Sequence, residues 1–192
     1  MRIKIMVATL VALAAASLAA CSSSDDSAGS GDFNDADVTF AQEMIPHHRQ
    51  ATEMAEMAAS RTKNADVLEL AKRIQAAQDP EIETMSGWLK DWGKDVPADD
   101  AGMGDMAGMD HSSGGSMQGM MTDAQMSGLE ASSGSQFDDL FLTMMVEHHE
   151  GAVAMAKAEQ ADGKNAEAVA LAKAIETAQT AEISEMNGLL GS

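Results

Sequence analysis

The side chains best able to do chemistry occur in a pattern that appears twice. Met44-x-x-His47-His48 is matched by Met145-x-x-His148-His149. Each copy is followed, at the same spacings, by a methionine (Met54, Met155), a glutamine (Gln78, Gln179), a glutamate (Glu81, Glu182) and a further methionine (Met85, Met186). A shift of 101 positions lays residues 40–89 on residues 141–190 without a gap, and 21 of the 50 positions are identical. That is an internal duplication. Imidazole suits copper, zinc and iron alike, whereas thioether selects copper(I), so a combined Met/His set leans towards copper among the transition metals. The competing reading is a hydrogen-bonded His/Gln/Glu layer that fixes helix register without any metal.

A third group of soft donors lies between the copies. From Pro97 to Thr122 periodicity gives way to glycine, serine, aspartate and methionine, with Met103-x-x-Met106-x-x-Met109-x-His111 followed by Met117, Met120 and Met121. Flexible spacers ordinarily lack apolar side chains. Three or four thioethers and one imidazole on such a chain can wrap copper(I), which accepts low coordination, while copper(II) and zinc gain little from sulfur of this kind. The plainer reading is a low-complexity spacer whose methionines pack loosely on the rest of the protein.

Helices must position these groups. Phe40, Met44, His47, Ala51, Met54 and Ala58 recur at alternating spacings of four and three, which is one seam of a helix. Val67, Ala71, Ile74, Gln78, Glu81, Met85, Trp88 and Trp92 follow the same rule in a second stretch. Asn64 is placed to cap that second helix and Asp66 to favour its first turn, and the copy turns at Asp162-Gly163-Lys164-Asn165. Each unit therefore reads as an αα-hairpin, and two hairpins burying their seams against each other make an all-α, four-helix bundle. The first hairpin is expected over 33–95, a Met-rich linker over 96–135 and the second hairpin over 136–192. Folding each hairpin about its turn predicts His47 beside Gln78, Met44 beside Glu81 and Phe40 beside Met85, to within about one turn. A dyad between the hairpins would bring both polar sets to one central level. Burying such groups costs several kcal/mol, about the scale of domain stability, unless they find partners or a metal.

His48 and His149 sit about 100° further round their helices than His47 and His148. A supporting role behind the ligands, a site at the rim and simple exposure all remain open for them. Pro46 removes a backbone donor beside the histidines, but Glu147 holds the matching position, so no kink there is essential to the architecture.

The N-terminus has its own signature. Arg2 and Lys4 precede an apolar run ending in Leu18-Ala19-Ala20-Cys21, too short for a membrane span and shaped as a secretory signal over 1–20. Small residues before the single cysteine resemble the lipobox of bacterial lipoproteins, which predicts lipidation of Cys21, a flexible tether over 21–32 and attachment to the outer face of a membrane or in the periplasm. The 192-residue chain carries 31 acidic and 12 basic residues, a net charge of −19. Loss of Arg2 and Lys4 with the signal takes this to −21. Such a charge opposes binding to nucleic acid or anionic headgroups and favours cations as partners. Seventeen methionines beside no tyrosine is the compositional oddity, since methionine is a sparing gap-filler in ordinary cores. The chain has no phosphate-binding glycine loop and no serine or cysteine nucleophile motif.

Phe-x-x-x-Met-x-x-His-His-x-x-Ala followed by Gln-x-x-Glu-Ile-x-x-Met-x-x-Leu resembles the bacterial domain-of-unknown-function family numbered 305, in both copies. The resemblance implies a ferritin-like fold, an extracytoplasmic location and an association with copper. It also implies Met44, His47, His48, Met54 and Met85, with Met145, His148, His149, Met155 and Met186, as ligands, and leaves Gln78, Glu81, Gln179 and Glu182 as supporting or alternative ones. The expected function is a non-enzymatic lipoprotein that sequesters copper(I) or passes it to a transfer partner. A structural or partner-binding bundle is the alternative. A di-metal oxidase is disfavoured, because such sites use Glu-x-x-His on two helices and this chain has none.

Overall fold

The computed structural model describes residues 32–98 and 118–191, whose order is α1 (Asp35–Arg61), α2 (Ala65–Asp91), α3 (Asp123–Ala131), α4 (Ser135–Asp162) and α5 (Ala166–Leu190). Cys21, Met103, Met106, Met109 and His111, with the signal and tether, lie outside the described residues. The four long helices form an all-α, ferritin-like bundle. Asparagine sets three of the four starts, and α4 begins after Gly134 without a side-chain cap. Asn34 accepts the N–H groups of Ala36 and Asp37 while Asp37 returns a carboxylate to the Asn34 N–H, a reciprocal cap. Asn64 and Asn165 cap α2 and α5, so each hairpin turns within three residues.

The turns fix the direction of neighbours. Asp37 near the start of α1 accepts the N–H groups of Lys164 and Asn165 after α4, and Asn64 after α1 meets Asp138 near the start of α4. Hence α1 and α4 are antiparallel. Arg73 on α2 pairs with Glu185 on α5, closing the fourth side. In this up-down-down-up order α2 and α4 run parallel, so their connection must return along the whole bundle.

That connection runs over α1 and α4. Arg49 donates to the carbonyls of Pro97 and Ala98 near the middle of α1. The chain is next described at Gln118, again at mid-bundle, and ends with Gly134 donating to the Arg61 carbonyl at the far end. On the way it forms α3, which the sequence pattern does not reveal. Nine residues are too few for a periodic signal. A Thr122–Gln125 capping box starts the helix and burial of Leu129 holds it.

Helix pairing within each hairpin is displaced from the expected register. His48, not Met44, lies at the level of the opposite helix that Glu81 occupies, and His149, not Met145, matches Glu182. The reason is side-chain direction. Each Cα–Cβ bond leans towards its own helix N-terminus. In an antiparallel hairpin the first helix leans away from the turn and the second towards it. Residues that touch therefore have higher numbers than folding about the turn suggests.

Candidate metal centre

A polar layer divides the core in two. On one side, Val38, Phe40, Ala41, Met44, Ile45, Met85 and Leu89 pack with Ala152, Ala156, Ala168, Ala172 and Ile175, and the partly buried Met155 rests against them. On the other, Met54, Met145 and Met186 pack with Leu70, Ile74, Leu129, Phe137 and Phe141. The repeat maps Met44, Met85 and Met155 onto Met145, Met186 and Met54. Of these six methionines, each apolar core holds two from one hairpin and one from the other.

Within the layer the duplication becomes a spatial pair. His47 from α1 and His148 from α4 face each other with ring centroids 3.7 Å apart and planes 39° apart, at 0% and 1% exposure. None of their four ring nitrogens makes a well-formed hydrogen bond. Burial, then the nearby His48 and His149, pushes the His47 pKa down to about 3. His148 is also held well below its ordinary value, by burial and then by His47. Both rings are therefore neutral at pH 7, which is the form that offers a lone pair to a metal.

His48 and His149 are not at a rim. Both are fully buried, and each places Nε2 on a carboxylate: His48 on Glu81 Oε2 at 2.7 Å, His149 on Glu182 Oε2 at 2.8 Å. A carboxylate only accepts, so Nε2 carries the proton. In the neutral ring Nδ1 is then a lone pair, and the Nδ1 atoms of both rings are buried without a partner. A carboxylate behind a histidine is the arrangement that orients metal-binding imidazoles. Gln78 and Gln179 complete the layer, each buried with its side-chain oxygen unsatisfied.

The structure thus buries Met44, His47, His48, Met54, Met85, Met145, His148, His149 and Met186, with Met155 half-buried, and brings His47 onto His148. Glu81 and Glu182 stand behind the outer histidines. Among the described residues no three His, Cys, Asp or Glu side chains converge on one point. Methionines from both hairpins are present in each of the two apolar cores. The unsatisfied nitrogens cost on the order of 1–3 kcal/mol each if nothing binds them, and imidazole lone pairs suit copper, zinc or iron.

Sequence reasoning missed the Asp37–Glu159 pair at one end of the bundle. Asp37 is fully buried and Glu159 is 2% exposed. Burial raises the Asp37 carboxyl, but N–H groups of Asn34, Asn165 and Lys164 and a hydrogen bond with Glu159 outweigh it, leaving the pKa below 3.8. Glu159 is pushed up to about 8, by burial, by its hydrogen bond to Asp37 and by the charges of Asp37 and Asp162. Glu159 is thus favoured in its protonated form beside the ionised Asp37. The only sequence signal was a glutamate on an alanine seam, where the first copy has Ala58.

Comparison with known proteins places this geometry. The model of the family described as domain of unknown function DUF305 matches residues 37–190. The chain belongs to the DUF305 family. A DUF305 protein of Streptomyces coelicolor, inferred to be secreted, is 35% identical over 81% of this chain and 92% of its own, with a TM-score of 0.70. A DUF305 fragment from Deinococcus radiodurans is 30% identical over 84% and 99%, also at 0.70. CopM in its Cu(II)-bound form is 32% identical over 81% and 95%, at 0.67, and its Cu(I)- and Ag-bound forms match as well. No curated protein sequence matches. No described helix of this DUF305 chain is long and apolar enough to cross a membrane.

Proposed function

We propose that this chain is an exported, non-enzymatic copper-binding protein that sequesters copper(I) or hands it to a partner. The observation that carries the reading is the His47–His148 pair, two neutral and unsatisfied imidazoles buried in a bundle whose two apolar cores both contain methionines. Thioether favours copper(I) over zinc or copper(II). Structural likeness to a protein solved with Cu(I), Cu(II) and Ag supports the same ion class.

His47, His48, Met44 and Met85, with His148, His149, Met145 and Met186, would hold the ion, and Met54 and Met155 would complete the sulfur sets. Glu81 and Glu182 would orient the outer imidazoles. Met103, Met106, Met109 and His111 would act as a capture arm. The described stretches on either side of them both meet α1 at mid-helix, at Arg49 and Gln50, which would tether such an arm at the height of the histidines. Lipid on Cys21 would keep the protein at a membrane surface, and the acidic exterior would raise the local cation concentration.

The test is a copper(I) competition titration of the chain from Ser22, beside a variant with Met103, Met106 and Met109 changed to leucine and one with His47→Gln and His148→Gln. Loss of tight sites in the histidine variant supports capture in the core, and loss in the leucine variant supports the arm. If the parent fails to compete with a moderate chelator for even one copper(I), the reading fails and the layer is a register device.

A further inference from the structure

A closed site needs a way in. His47 and His148 sit between four helices with at most 1% exposure, and an ion can reach them only if something moves. The helices are held along their length by two apolar cores. Across the α1–α4 seam at this height lies a smaller cover, the segment from Gln118 to Met121, which turns at Gly119.

Three contacts define that cover. Gln50 on α1, one turn after His47, holds Met121 by both its backbone groups: the Gln50 amide Nε2 donates to the Met121 carbonyl at 2.9 Å, and the Met121 N–H donates to Gln50 Oε1 at 2.7 Å. On α4 the segment lies backbone to backbone against Gly151. A Cβ at position 151 would come 2.1 Å from the Gln118 oxygen, and one at Gly119, whose φ is +84°, would meet the carbonyls of Glu147 and His148 at 2.8 and 3.0 Å. Only glycine permits either approach. The Gln118 carbonyl is also turned towards the His47 ring. Gln50 and Gly151 are the same position in the two copies. One has become a latch and the other a seat.

We infer that Gln118–Met121 is a strap over the histidine pair, latched by Gln50 and seated on Gly151, whose lifting sets the rate at which ions enter and leave. The inference rests on the copper-binding reading above. Lifting the strap breaks two hydrogen bonds to Gln50 and draws one buried side chain, Met121, out of the core, whereas parting the helices opens whole buried seams, so local opening at the strap is the cheaper route. The latch acts equally on the empty and the filled site. Its loss should change rates and leave affinity alone.

The experiment loads the chain from Ser22 with one copper(I), mixes it with excess bathocuproine disulfonate, and follows release by stopped-flow absorbance for the parent, Gln50→Ala and Gly151→Ala. Hydrogen exchange at the Met121 amide reports strap lifting directly. The expected result is roughly tenfold faster release in both variants, faster Met121 exchange, and an equilibrium affinity within about twofold of the parent. Should Gly151→Ala destabilise the bundle, Gln50→Ala decides alone, since it adds no atoms. Release at the parental rate despite faster Met121 exchange overturns the strap and leaves copper binding standing. A parent that binds no copper(I) overturns the copper reading and the strap with it.

Discussion

The two hairpins are interchangeable inside the histidine layer and different one or more turns away from it. His48–Glu81 and His149–Glu182 differ by 0.1 Å in length, and the methionine sets exchange under the repeat. Outside the layer, Gln50 faces a glycine counterpart at 151, and the Asp37–Glu159 pair has as its counterpart Asp138 near Ala58, where Asp138 meets only the Asn64 side chain at 3.3 Å and keeps one oxygen unsatisfied. Work done jointly across the dyad needs both copies alike. Tasks that arise once, such as seating a single connector, need the copies unlike.

The largest test of this difference is at the aspartates. Asp37→Ala strands three backbone N–H groups and should cost roughly 3 kcal/mol in urea unfolding, whereas Asp138→Ala should cost less than about 1 kcal/mol. Equal costs would mean the two ends are clasped alike.

Next in size is a pH effect confined to one end. The folded protein keeps the Glu159 proton up to about pH 8, and an unfolded chain gives it up near 4.5. Folding therefore takes up a proton between those values, and stability falls as pH rises through that window, by a few kcal/mol at most, then levels off. Asp37, held below 3.8, acts in the opposite sense, its contribution being lost only as pH falls below that range. Glu159→Ala should flatten the slope between pH 5 and 8 in a series of denaturant melts. A slope that persists would assign the proton uptake to another group.

Inside the layer the expectation is symmetry. Glu81→Ala and Glu182→Ala should each weaken copper(I) binding about ten- to a hundredfold in competition titrations, and by similar factors. A large effect from one and none from the other would show that only one hairpin binds.

The smallest effect concerns the caps. Asn165 accepts two N–H groups and Asn64 one, so Asn165→Ala should lower stability by about 1 kcal/mol and Asn64→Ala by somewhat less, read from thermal melts.

Much of this was legible in the residues. Seam spacing at four and three identified the long helices because α1, α2, α4 and α5 each exceed six turns, and a duplicated Met-x-x-His-His named the polar layer before any geometry. The level at which His48 meets Glu81 was not legible, because side-chain lean shifts contact by about a turn. Nor was the burial of His48 and His149: a position 100° off a seam is exposed on an isolated hairpin and enclosed only when its own partner helix and the second hairpin close over it. Asp37 and Glu159 lie 122 residues apart, with no pattern to join them.

The sequence by itself determined helix count within the repeats, the twofold relation, the donor types and the charge that favours cations, since these depend on local periodicity and composition. Only the tertiary structure decided which imidazoles face each other, which carboxylate stands behind which ring, how the methionines divide between two apolar cores, and that one backbone segment lies between Gln50 and Gly151. Those are contacts between distant parts of the chain, set by how four helices share one core, and no local rule contains them.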